Sequence, residues 1–183
     1  MNEMRMQLVN EHVQDKTPYT PQEEEVTIHK RTIDLVAFTR QYCKEYETPV
    51  EDTNVKVNFL SSVPELDVDF DSEQMEEIFN ITFRNAAIFT PNDCRISVGV
   101  ARTQDGKAQI QIADNGIGIK DEFKEHAFDP IVNGDGSNLH KVKAIVDAHE
   151  GEVHIEDNPG GGTIIVVTLP LGEVIEEAEI IEE

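Results

Sequence analysis

The chain has 183 residues, 38% of them hydrophobic, enough for one core with a small appendage rather than two full domains. Its formal net charge of −22, from 37 acidic and 15 basic residues, argues against nucleic acid and against an anionic membrane surface as partners. No apolar run is long enough to cross a bilayer and MNEMRMQLVN lacks the apolar core of a signal peptide, so the expected location is cytoplasmic, with the well-separated Cys43 and Cys94 reduced.

Met6, Val9 and Val13 recur at helical spacing, and Pro18 and Pro21 follow, which predicts a short helix and then a linker over residues 1–24. EVTIHKRTIDL is expected to be a strand, and the following helix puts Leu35, Phe38, Tyr42 and Tyr46 on one face. VKVNFLSS and LDVDF both alternate and are expected to pair with each other. Asp71 precedes the long helical run SEQMEEIFNITFRNAAIFT, with Gln74 at the capping-box position and Pro91 at the end. CRISVGVART and KAQIQIA form a hairpin signal around Gln104, Asp105 and Gly106. A helix at NLHKVKAIVDAHE, a strand EVHIED, a turn NPGGG and a strand TIIVVTLPL complete the body, and residues 172–183 form an acidic tail. This order predicts an α+β fold, a two-layer sandwich with a mixed sheet and helices on one face.

Residues 113–119, ADNGIGI, close the second hairpin strand. A carboxylate there can accept a hydrogen bond from an exocyclic amine, while Gly116 and Gly118 let backbone approach a flat ring. The same residues also suit an ordinary turn. Asn85 lies in the long helix, with Ile81 four residues before it and Ile88 three after, on one helical face. Downstream, NGDGSNLH opens a helix and offers free amides and a positive dipole end, suited to phosphate.

Taken in order, a helix with Asn85, the Asp114-x-Gly116-x-Gly118 strand end, Phe128, Gly134-x-Gly136 before a helix and Gly161-Gly162-Thr163 opening a strand resemble the ATP-binding domain of sensor histidine kinases. That Bergerat fold is shared with gyrase, MutL and the heat-shock chaperone ATPases. The resemblance covers roughly residues 32–171. MRMQLVNEHVQD looks like the tail of a dimerisation hairpin, and RTIDLVAFTRQ resembles hybrid sensors of Bacteroidetes. The resemblance implies a catalytic domain over 25–171 that uses ATP and Mg²⁺, a histidine-phosphoacceptor (dimerisation) domain and a response regulator as partners. It implies that Asp114 holds the adenine amine, Gly116 and Gly118 line the base, and Thr163 assists Asp114. By the same token Asn85 coordinates magnesium, Gly134 and Gly136 face the phosphates, and Phe128 packs at the base of a lid.

Several positions depart from that pattern. Ile81 stands where the family has a polar residue, Ile88 where it often has lysine, and Asn138 replaces a third glycine. Asn80 is one residue early, about 100° around the helix, so it does not substitute for the missing polar group. His149-Glu150-Gly151 replaces His-Gly-Gly. These changes imply weakened phosphoryl transfer, since a lost general acid or base costs about 10²–10⁴ in rate. The alternative is a pseudokinase, an interaction module with little nucleotide chemistry. Ile81 and Ile88 are expected to pack together or against the lid, shielded from water. None of His12, His29, His126, His140, His149 or His154 sits in an acceptor motif, and the segment before residue 25 is short for a two-helix hairpin, so the isolated chain is not expected to label itself.

Overall fold

A computed structural model of the chain describes residues 26–46, 55–90, 93–129 and 138–172. The readings made above for the helix and linker at 1–24 and for the acidic tail beyond Gly172 lie outside these residues. Strand β1 (Arg31–Asp34) is shorter than the alternation at 25–35 suggests and runs directly into helix α1 (Leu35–Tyr46). Asp34 makes that corner, because its Oδ1 accepts from the backbone N–H of both Val36 and Leu66, each at 3.0 Å. The expected α1 face forms: Leu35 is fully buried, the Phe38 ring meets Phe70 edge-on at 5.1 Å, and Tyr46 meets Phe83 at 4.8 Å.

Strands β2 (Val55–Ser61) and β3 (Asp67–Phe70) do not pair with each other, contrary to the sequence expectation. β3 lies antiparallel to β1, with Arg31 opposite Phe70, and β2 lies parallel to β4 (Cys94–Arg102), with Val57 opposite Ile96. The segment between them does not fold back as a hairpin. Ser62 N–H donates to Val100 O, continuing the bond to β4, and Leu66 O accepts from Leu35 N–H, tying the next stretch to α1.

Helix α2 (Ser72–Phe89) begins at Asp71, whose Oδ1 accepts from the N–H groups of Glu73 and Gln74. Such a cap contributes about 1 kcal/mol. The second half of the expected capping box is absent, because the Asp71 N–H goes to His149 Nε2 at 3.0 Å instead of to Gln74. The hairpin of β4 and β5 (Ala108–Asp114) forms as read, with Gly106 at φ +82° and its N–H on Thr103 O. Strand order in the main sheet is β2-β4-β5-β7-β6, where β6 is Glu152–Asp157 and β7 is Thr163–Leu169. Only β2 and β4 are parallel, so the sheet is mixed.

Alternate residues of β4 and β5 (Ile96, Val98, Val100, Ile110, Ile112) enter the core against Phe79, Phe83 and Met75, while Arg95, Ser97 and Gln111 stay exposed on the other face. That two-layer packing positions the site: α2, the short α3 (Asp121–Lys124) and α4 (Leu139–Ala148) converge on the end of β5. Among the described residues, no helix is long and apolar enough to cross a membrane.

Candidate functional site

Where β5 ends, the helices and sheet enclose a cavity of about 570 Å³, within the usual size of a small-ligand site. α2 contributes Thr82, Asn85 and Phe89, one face at helical spacing. Asp114 comes from β5, Ile117, Gly118, Ile119 and Lys120 from the loop after it, and Phe123 and Ala127 from α3 and the turn that follows. Leu139 opens α4, and Thr163 and Ile165 come from β7. The lining is mostly apolar, with Asp114 as its single acid and Lys120 as its single cation among the described residues.

The Asp114 carboxylate is fixed by backbone. Gly116 N–H donates to Oδ1 at 2.8 Å and Thr163 N–H to the same oxygen at 3.2 Å. Among the described residues Oδ2 takes no donor and remains the acceptor available to a ligand. Burial pushes the Asp114 carboxyl above the ordinary carboxylate range, against the lowering effect of these two N–H groups. The glycines nearby are required by space. A Cβ on Gly116 would stand 2.9 Å from Asp114 Oδ1 and 3.0 Å from Phe89 O, and one on Gly162 (φ +103°) would stand 2.1 Å from Asp114 O.

Of the residues singled out in the sequence, the structure places Asp114, Asn85, Gly118 and Thr163 in the lining of one cavity. Gly116 differs: it stands behind the carboxylate as a donor and does not line the cavity. Thr163 acts on Asp114 through its N–H. Phe128 packs half-buried against the core, and its neighbour Ala127 is the lining residue. Gly134 and Gly136 lie outside the described residues.

The expectation that Ile81 and Ile88 pack together fails. Ile81 is 3% exposed and belongs to the core, whereas Ile88 is 61% exposed. Seven residues return nearly to the same azimuth, so the difference comes from position along the axis: the core covers the middle of α2, and nothing among the described residues covers its last turn there. Asn80 is turned away from the cavity, as expected, and accepts from the Tyr42 hydroxyl at 2.7 Å.

The departures Asn138 and Glu150 are backbone matters. Asn138 takes φ +55° and Glu150 φ +61°, the left-handed region that glycine adopts freely. Asn tolerates that region, and Glu does so at greater cost. Glu150 closes α4 in a Schellman arrangement, its N–H on Asp147 O and the Gly151 N–H on Val146 O. His149, at the end of α4, is buried and neutral. Its Nδ1–H donates to Ile145 O at 2.7 Å, and its Nε2 accepts from Asp71 N–H. Burial lowers its pKa. Asp71 is held below the ordinary range despite burial, because the N–H groups of His29, Gln74 and Glu73 outweigh it.

Sequence reading missed Thr82, Phe89 and Lys120. Thr82 and Phe89 sit three before and four after Asn85, a spacing that marks them as sharing its face. Lys120 carried no signal beyond adjacency to Ile119.

Residues 70–173 match the family described as histidine kinase-, DNA gyrase B- and HSP90-like ATPase. The chain is 30% identical over 165 residues to sensor protein kinase WalK of Staphylococcus aureus, across 83% of this chain and 39% of that protein. It therefore spans well under half the length of that curated relative. The fold is similar to the nucleotide-free catalytic domain of histidine kinase ThkA, at TM-score 0.70 and 20% identity over 78% of this chain and 97% of that one. It is also similar to ThkA in complex with response regulator protein TrrA, at TM-score 0.65 and 18% identity over 93% of this chain and 48% of that one.

Proposed function

Because the chain belongs to the histidine kinase-, DNA gyrase B- and HSP90-like ATPase family and carries the ATP-binding catalytic domain of a sensor histidine kinase, we propose that the cavity beside Asp114 holds ATP chiefly by its base. The observation that carries this reading is the carboxylate itself, with Oδ1 committed to Gly116 and Thr163 and Oδ2 left to accept from the adenine amine. Phe89, Ile117, Ile119 and Ile165 offer apolar surface to a flat ring, and Gly118 lets backbone come close to it. Gly134 and Gly136 face the phosphates in this reading, and Lys120 is the lining cation that complements them.

Magnesium fits the donor set only as an ion shared with the ligand. Among the described residues no three His, Cys, Asp or Glu side chains cluster as ligands, whereas magnesium in nucleotide sites is held by one or two protein oxygens plus phosphates. Asn85, buried and lining the cavity, would hold it. When bound, the ion neutralises phosphate charge. In the transfer step a histidine nitrogen of a dimerisation domain attacks the γ-phosphorus, the bond to the β,γ-bridging oxygen breaks, and ADP leaves. A response regulator then takes the phosphoryl group, in the cytoplasm. The buried Ile81 favours a second reading, a pseudokinase that serves as a protein-interaction module with little or no nucleotide chemistry.

Calorimetric titration with ATP and ADP, each with and without Mg²⁺, tests the site. The two nucleotides are expected to bind within a few-fold of each other, and Asp114→Ala is expected to abolish both. Unchanged affinity in Asp114→Ala overturns the base-binding reading. Adding a phosphoacceptor domain with γ-labelled ATP separates kinase from pseudokinase.

A further inference from the structure

Asp114 is held from a third side by a residue outside the cavity lining. The side-chain amide of Asn158 donates from Nδ2 to Asp114 O at 2.7 Å, across 44 residues of sequence. Ala113 and Ile164 form the last register pair of β5 and β7, so this carbonyl lies just beyond the paired ladder. Asn158 also organises the 158–162 loop. Its N–H donates to Gly162 O at 3.2 Å, its carbonyl accepts from Gly161 N–H at 2.7 Å, and its Oδ1 accepts from Gly160 N–H at 3.4 Å. The loop leads directly into Thr163, whose N–H is one of the two donors on Asp114 Oδ1.

One side chain thus ties together the backbone of the acidic residue and the loop that supplies its donor. Gly162 sits so near the Asp114 carbonyl that only a residue without Cβ fits, which leaves the loop no slack toward β5. We propose that Asn158 is a positioning residue for base recognition: it sets the direction of Asp114 Oδ2 by locking Asp114 O and Thr163 N–H in one frame. The proposal rests on the reading of the cavity as an adenine site. Asn158 itself touches no ligand. Without its amide, the Asp114 peptide can rotate and the Thr163 N–H loses its fixed distance, so the carboxylate turns while the apolar walls stay in place.

The test compares adenosine with purine riboside, which has the same ring and sugar but no exocyclic amine. With the unmodified chain adenosine is expected to bind more tightly than purine riboside. Asn158→Ala is expected to weaken adenosine by about tenfold, the scale of one hydrogen bond, while purine riboside changes by less than about twofold. Asn158→Ser keeps a donor and is expected to retain most of the preference for adenosine. In an Asp114→Asn background Asn158→Ala is expected to cause no further loss of adenosine affinity, because the two residues act as a unit. Equal loss for both ligands shows a purely structural role and overturns the proposal, as does no loss for either. If the unmodified chain binds adenosine no better than purine riboside, the adenine reading fails first, and the proposal fails with it.

Discussion

At the Asp114 corner two N–H groups converge on Oδ1, one from the adjoining Gly116 and one from the distant Thr163, while the Asn158 amide holds the main-chain oxygen and Gly162 closes the space behind it. Helix α2 borders the same cavity through Asn85 and Phe89, and it carries Ile81 in its middle and Ile88 in its last turn at nearly the same azimuth. Ile81 is core and Ile88 meets solvent. The first region is specified by hydrogen bonds whose geometry a ligand can read, and the second by burial, which ends where the body of the domain ends. A residue's departure from the family pattern therefore has a consequence only through its surroundings, and two isoleucines on one stripe carry two different ones.

The largest expected effect breaks the equivalence of those two isoleucines. Ile81→Asn places an unpartnered amide in the core and is expected to destabilise the fold by about 3 kcal/mol or more, whereas Ile88→Asn stays within about 0.5 kcal/mol. Chemical denaturation of the two variants measures this, and equal losses would show that Ile88 is covered. Next, Asp114→Asn keeps an acceptor for Gly116 and Thr163 but presents a donor where the ligand needs an acceptor. Its nucleotide affinity is expected to fall about ten- to a hundredfold. Its stability moves the other way, and with pH. Because the folded protein raises the Asp114 pKa, the folded state binds the proton more tightly, and stability contributed at this site falls as pH rises above the ordinary value of about 4. The Asn variant is therefore expected to melt at or above the parent temperature at neutral pH and to lose that margin at acid pH. A margin that grows on acidification would contradict the assigned burial of the charge.

The smallest effect lies outside the cavity. Glu150→Gly relieves a left-handed residue and gives up only a surface pair with Lys30, whose Glu150 side is 79% exposed. A gain of about 0.5–1 kcal/mol is expected, seen as a rise of about 1–4 °C in melting temperature. No gain would mean that the Lys30 pair offsets the strain.

Local signals carried much of the fold. Asp71 marked the start of α2, Gly106 the hairpin, and the alternation of β4 and β5 the faces of the sheet. The misread pairing of β2 and β3 had no local cure, since alternation reveals which face of a strand is buried but not which strand lies beside it. Asp114, Gly118, Asn85 and Thr163 were legible because their types and order form a pattern. Thr82 and Phe89 were legible in principle from spacing alone. Asn158 was hidden inside a turn signal, its partner being a main-chain oxygen that sequence cannot single out. His149 was hidden for a similar reason: its neutral state follows from an N–H 78 residues away.

That last bond has a mechanical meaning. Helix α4 is ten residues long, a stiff strut of about 15 Å. One end carries Leu139 into the cavity wall, and the other is pinned through the imidazole of His149 to the first turn of α2, the helix that bears Asn85. The imidazole thus links the end of α4 to the start of α2, so two of the helices that wall the cavity are joined at a residue that does not line it.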